Sequence, residues 1–144
     1  MKRIAAILIS LFLLFALVAC DGNQEPKVTE KPTGGDEKLK VALILPGSLN
    51  DGGWNANAYA GLKVLEEEGY QVAFTESVEI SAIEEAFRNY ATAEYDLVIG
   101  HGFEFGEPAM RVAPQFEDVN FFVSGKMPDG VKAEDLPDNV GFMD

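Results

Sequence analysis

With 144 residues, 47% hydrophobic side chains and 24 acidic against 11 basic residues, the chain has room for one small domain and carries a net charge of −13. That charge repels the phosphates of nucleic acid and anionic lipid headgroups, which excludes a nucleic-acid partner and a basic membrane-binding patch. A single cysteine excludes an intrachain disulfide.

Lys2 and Arg3 precede an uncharged apolar stretch from Ile4 to Val18. Its 15 residues fall short of the ~20 that a membrane-spanning helix requires, so it reads as an export signal. It leads into "LVAC", a small-residue cleavage site directly before Cys20 that resembles the lipobox of bacterial lipoproteins. Residues 1–19 are then the removed signal, and Cys20 is the lipid-bearing N-terminus. The mature chain keeps nine basic and 24 acidic residues, a net charge of −15, so membrane association is expected through the lipid alone. From Asp21 to Lys38 there is no aromatic residue and one valine, too little apolar surface to repay ordering. Residues 20–38 therefore read as a lipidated cysteine followed by a flexible tether.

Residues 39–144 read as one α/β lobe. "LKVALILP", residues 39–46, is a continuous apolar run ended by proline and glycine, as in a strand buried on both faces. A helix is expected from about Gly53 to Glu68, with Ala58, Leu62 and Leu65 on one face and Gly69 closing it. "YQVAFTE" reads as a strand, and residues 81–93 as a helix carrying Ile83, Phe87 and Tyr90 on one side. "YDLVIGHG" is a third strand and "NFFVSG" a fourth. Between them "FGEPAMRVAPQFED" is a shorter helix, with Pro108 tolerated in its first turn and Pro114 bending or ending it. "DNVGFMD" has the makings of a fifth strand. Alternating strands and helices predict a doubly wound parallel sheet covered on both faces, with ligands held at the carboxyl ends of its strands.

At the first such end stands "LPGSLNDGGWNANAYAGLK", residues 45–63. Gly47, Gly52 and Gly53 let a ligand approach the backbone, and Asn50 or Asp51 is placed to cap the next helix. A cap does not account for Trp54 or Asn55, whereas an aromatic face beside a carboxylate and amides suits a small polar ring. A phosphate site fits less well, because the spacing matches neither GxxxxGK[ST] nor GxGxxG and Asp51 would repel the anion. At the third strand's end, "GHGFEFGEP" adds Phe103 and Phe105 among glycines. His101 and Glu104 suggest a metal or an acid–base pair, but one histidine without a second ligand at metal spacing argues against a metal. No cofactor motif is present.

Three stretches together, "LVAC", "VALILPGSLNDGGWNANAYAGL" and "YDLVIGHGFEFGEPA", resemble the basic membrane protein family of substrate-binding lipoproteins, whose better-known members bind purine nucleosides for ABC-type importers. The resemblance extends over residues 39–144 and implies the first lobe of a type I periplasmic-binding-protein-like fold. It implies that the loop from Asn50 to Asn55 lies in an interlobe cleft, with Asp51 and Asn55 as polar anchors. It also implies an aromatic, Trp54 or Tyr59, stacked on a base, and Gly102, Phe103 and Glu104 along the opposite side of the first lobe's site. Many members have phenylalanine where this chain has Trp54. The sequence stops at "NVGFMD", where the family crosses to its second lobe, so only the N-terminal half is expected, from a fragment or a truncated gene. Such a half is expected to bind weakly or not at all, since it buries about half of a ligand.

The expected function is that of a lipid-anchored binding protein on the extracytoplasmic side of the cell membrane. It would capture a nucleoside or similar small ring for an ABC permease, with no catalysis, metal or cofactor. A sensory module working through a regulatory partner shares the same site. A hydrolase using Asp51, Glu104 and His101 is the third reading.

Overall fold

The computed structural model describes residues 38–143. The expected signal segment 1–19, the lipidation site Cys20 and the tether before Lys38 lie outside the described residues.

The chain alternates strands β1 (Lys40–Ile44), β2 (Gln71–Thr75), β3 (Leu97–Gly100), β4 (Asn120–Val123) and β5 (Val140–Phe142) with helices α1 (Trp54–Glu67), α2 (Ile83–Thr92) and α3 (Gly106–Val112). All strand pairs are parallel, in the order β2-β1-β3-β4-β5. The α/β class and the parallel sheet expected from the sequence are thus what the chain adopts.

Period-two alternation assigns the faces. Val41, Leu43 and Leu45 point to one side of β1 and pack with Leu62 of α1, supported by Ala58 and Leu65. Ala42 and Ile44 point to the other, into a larger core with Ile83, Phe87 and Ala91 of α2 and Ala109 and Val112 of α3. Because β1 is covered on both faces, its sequence is continuously apolar instead of alternating. Phe87 sits at the centre of the larger core, edge-on to Phe105 at 5.9 Å and to Phe121 at 5.6 Å between ring centroids.

Elements end where their local chemistry requires. Gly69 takes φ +89° just past α1, the left-handed conformation that stops a helix. The helix expected over 81–93 starts at Ile83, because residues 80–82 form a tighter 3₁₀ turn first. Pro108 occupies the first turn of α3, and Pro114 falls in the 3₁₀ turn Ala113–Gln115 that ends it. Asn139 fastens that turn to the start of β5: its Nδ2 lies 3.1, 3.0 and 2.8 Å from the carbonyls of Ala113, Phe116 and Val119.

The order of the strands locates a crevice. From β1 the chain moves outward to β2, then returns to the other side of β1 to form β3. The segments after β1 and β3 therefore leave for helices on opposite faces, and they part at the carboxyl end of this strand pair.

Candidate functional site

Asp51 organises the turn after β1. Its Oδ1 accepts the N–H of Gly53 at 2.9 Å and of Ala56 at 3.1 Å, while Oδ2 accepts the backbone and side-chain N–H of Asn55, both at 2.8 Å. These donors, the Gly53 amide foremost and then that of Asn55, hold its carboxyl far below the usual carboxylate range. The capping function allowed by the sequence thus belongs to Asp51. Asn50 is exposed, and its N–H donates to Ser48 Oγ at 3.2 Å. Asn55 is buried, and its Oδ1 has no hydrogen-bond partner among the described residues.

Trp54 opens α1 and remains 57% exposed, although its indole stacks on the His101 imidazole with centroids 4.1 Å apart and planes inclined by 23°. His101 is buried at the end of β3. Its Nε2 lies 3.1 Å from the Trp54 carbonyl, and its Nδ1 meets Ser124 Oγ in a short hydrogen bond. A carbonyl can only accept, so Nε2 carries the proton and Nδ1 accepts from the serine hydroxyl. Burial pushes the imidazole pKa down, partly offset by the bond to Trp54 and the charges of Glu104 and Asp51.

A pocket of about 460 Å³ opens beside this stack. Pro46 after β1, Gly102, Phe103 and Glu104 after β3, and Ser124, Gly125 and Lys126 after β4 line it together with Trp54. Its volume falls within the ~300–1,000 Å³ of small-molecule sites. Gly102 has φ +138°, and a Cβ there would stand 2.5 Å from Glu104 Oε2, so the carboxylate folds back over its own loop. A wider groove of about 1,050 Å³ runs between α2, α3 and the loop after β4 and shares Phe103, Glu104 and Lys126. The smaller pocket is the better candidate, because it gathers three strand ends at the crevice and includes Trp54.

The structure thus brings Trp54, Gly102, Phe103 and Glu104 around one space, with Asp51 and Asn55 bonded to each other in the turn that sets Trp54. It does not bring Asn50 or Tyr59 there. Tyr59 packs edge-on against Phe74 of β2 at 4.8 Å, beside the α1 core. Phe103 is 74% exposed and presents the second free aromatic surface of the pocket.

Residues 38–143 match the family model Bmp, "ABC transporter substrate-binding protein PnrA-like". The chain belongs to the Bmp family. Among solved structures it is similar to an ABC transporter solute-binding protein from Conexibacter woesei, with 39% identity and a TM-score of 0.63 over 72% of this chain and 34% of that one. A solute-binding protein from Aeropyrum pernix is 26% identical with a TM-score of 0.60, over 72% and 28% of the two chains. A fragment of a lipoprotein from Peptoclostridium difficile, 21% identical with a TM-score of 0.60 over 74% and 84%, shares the fold. No curated protein sequence matches. The chain spans about a third of the length of the Conexibacter protein. Bmp membership together with these folds establishes the periplasmic-binding-protein-like architecture expected from the sequence.

Sequence reasoning alone did not place Ser124, Gly125 and Lys126 at this pocket. A signal for these three was present: "SGK" after the apolar "NFFV" repeats the polar, glycine-bearing break that marks the ends of β1 and β3. His101 stood out in the glycine-bearing "GHG" at the end of β3, but its contacts with Trp54 and Ser124, 47 and 23 residues away, had no counterpart in the sequence. Both imidazole nitrogens and both Asp51 oxygens are engaged by neighbours, so the acid–base set of Asp51, Glu104 and His101 that the hydrolase reading requires is not assembled as one hydrogen-bonded group. Among the described residues no cluster of His, Cys, Asp or Glu fit to hold a metal occurs, and no helix is long and apolar enough to cross a membrane.

Proposed function

We propose that this chain is the ligand-binding lobe of a lipid-anchored, extracytoplasmic substrate-binding protein, anchored through Cys20, that delivers a purine nucleoside or similar small polar ring to an ABC permease. One observation carries the reading: the Trp54 indole is backed on one face by His101, remains largely exposed, and borders a pocket of suitable volume at the sheet's switch point. An aromatic ring held flat with a free face suits a planar ligand, and Phe103 offers a second such surface. Hydrogen bonds to the ligand would come from Glu104 and from backbone groups of the loops after β3 and β4; Asn55, whose side-chain oxygen is buried away from the pocket, would act with Asp51 through the turn they share. Asp51, which the family resemblance makes a polar anchor, would act through the turn it holds, because the amides of that turn already occupy both its oxygens.

Capture by lobe closure requires no bond-making, and the family is described as substrate-binding. A hydrolase reading draws on one observation, the Ser124 hydroxyl directed at His101 Nδ1. It is the weaker reading, because the other imidazole nitrogen meets a backbone carbonyl where a nucleophile's base usually meets a carboxylate. The decisive experiment is a fluorescence titration of Trp54, the only tryptophan, with inosine, adenosine and free bases. A saturable change lost in Trp54→Ala supports the reading, and recovery of the nucleoside unchanged separates binding from hydrolysis. No saturable signal from any purine, in this chain or in a longer form carrying the second lobe, overturns the ligand class.

A further inference from the structure

Resting on the nucleoside-binding function, we propose that His101 is the positioning residue of the site. Its neutral Nε2–H form fixes the plane of the Trp54 indole, and Ser124 fixes that form of the imidazole.

The same imidazole holds Trp54 at two points. Nε2–H reaches the Trp54 carbonyl at 3.1 Å, and the ring faces lie 4.1 Å apart, so backbone and side chain of Trp54 share one support. His101 is itself anchored to the sheet, its N–H donating to the Ile44 carbonyl at 2.9 Å. Ser124 N–H donates to the Gly100 carbonyl at 3.0 Å, which places the serine hydroxyl opposite Nδ1. The chain of support therefore runs from β1, β3 and β4 through Ser124 and His101 to the first residue of α1. Without it, Trp54 would be an exposed side chain in a first helical turn, with several rotamers open to it.

The form of the ring matters. A doubly protonated imidazole would point an N–H at Ser124 Oγ and oblige that hydroxyl to turn from donor to acceptor. The charged groups facing His101 are Asp51 from the turn before α1 and Glu104 from the loop after β3, both acidic. Lys126, on the loop after β4, borders the same pocket. Burial prevails over the two carboxylates and keeps the ring neutral at pH 7.

A side chain immobilised before the ligand arrives need not be immobilised by it. Fixing one rotamer-rich side chain in advance corresponds to about two- to tenfold in affinity. A purely structural histidine would instead affect stability and leave the motion of Trp54 unchanged.

The test uses the full chain and three variants, His101→Ala, His101→Phe and Ser124→Ala. Nitrogen NMR of the single histidine is expected to report protonated Nε2 and bare Nδ1 at pH 7. Time-resolved fluorescence anisotropy of the single tryptophan is expected to report little local motion in the parent, more in His101→Ala and an intermediate amount in Ser124→Ala. His101→Phe restores the stack without the hydrogen bond and recovers part of the order. Inosine is expected to bind about two- to tenfold more weakly to His101→Ala. If His101→Ala does not fold, the NMR measurement and Ser124→Ala still decide. An Nδ1–H tautomer, or unchanged Trp54 motion in a folded variant, overturns the proposal. Failure of the parent to bind inosine counts against the nucleoside reading alone, because tautomer and anisotropy are measured without ligand.

Discussion

Gly125→Ala probes how the site's two loops fit together. Gly125 follows β4, and a Cβ built on it stands 2.8 Å from the backbone nitrogen of Phe103, 3.0 Å from its Cα and 3.1 Å from the carbonyl carbon of Gly102. All three are backbone atoms, so no side chain can swing aside. Reaching ordinary contact at 3.4 Å requires the loops after β3 and β4 to part by about 0.6 Å. The His101 N–H and Ser124 N–H bonds to the sheet, at 2.9 and 3.0 Å, resist that movement on either side. Overpacking of this kind costs about 1–3 kcal/mol, which for a domain of this size lowers Tm by roughly 5–20 °C. Thermal unfolding followed by circular dichroism measures the loss, and Trp54 emission measures the disturbance of the pocket. A Tm within about 1 °C of the parent would mean that the loops are not in backbone contact, and the geometry of the pocket would have to be redrawn.

Trp54→Ala is expected to weaken a purine ligand by about 1–3 kcal/mol, the range for a base stacked on an aromatic side chain. Stability should fall less, by about 0.5–1.5 kcal/mol for the lost ring stack, since most of the indole is exposed. Calorimetric titration beside thermal melting compares the two, and a loss confined to stability would make Trp54 a packing residue. Asn139→Ala removes one amide from three carbonyls and should destabilise the lobe by about 1–3 kcal/mol, read as a denaturant midpoint. The His101 pKa lies below its unfolded value of 6.5, so the unfolded chain binds more protons between the two values. Stability contributed by neutral His101 is therefore full above pH 6.5 and declines as pH falls towards its folded pKa; His101→Gln should flatten that segment of the stability–pH curve. Asp51 adds stability that is present above pH 3.8 and lost only in stronger acid, so Asp51→Asn should lessen the loss of stability on acidification there.

Much of the fold was legible because its signals are local. The continuous apolar run of β1, the spacing of Ile83, Phe87 and Tyr90, and the glycine after α1 each follow from backbone periodicity or dihedral preference, and each element formed where its signal stood. Boundaries moved by a few residues where 3₁₀ turns intervened, at 80–82 and 113–115, because two tight turns compete on nearly equal terms with the first and last turns of a helix. The site was legible in part. Trp54, Gly102, Phe103 and Glu104, which border the pocket, and Asp51, which holds the turn beside it, were visible as polar, glycine and aromatic residues at strand ends. Tyr59 was not separable from Trp54 by residue type, and only the rotation of α1 turns it towards Phe74.

By itself, the sequence determined the strand and helix segments, the parallel α/β class and the motifs that join the chain to its family, since these depend on residues near one another in the chain. Only the tertiary structure decided that β3 returns beside β1, that Ser124 and His101 meet across 23 residues, and that this pair supports Trp54 from 47 residues away. Those facts arise from strand order and register, which are fixed by burying both faces of the sheet at once and have no counterpart in any local stretch of sequence.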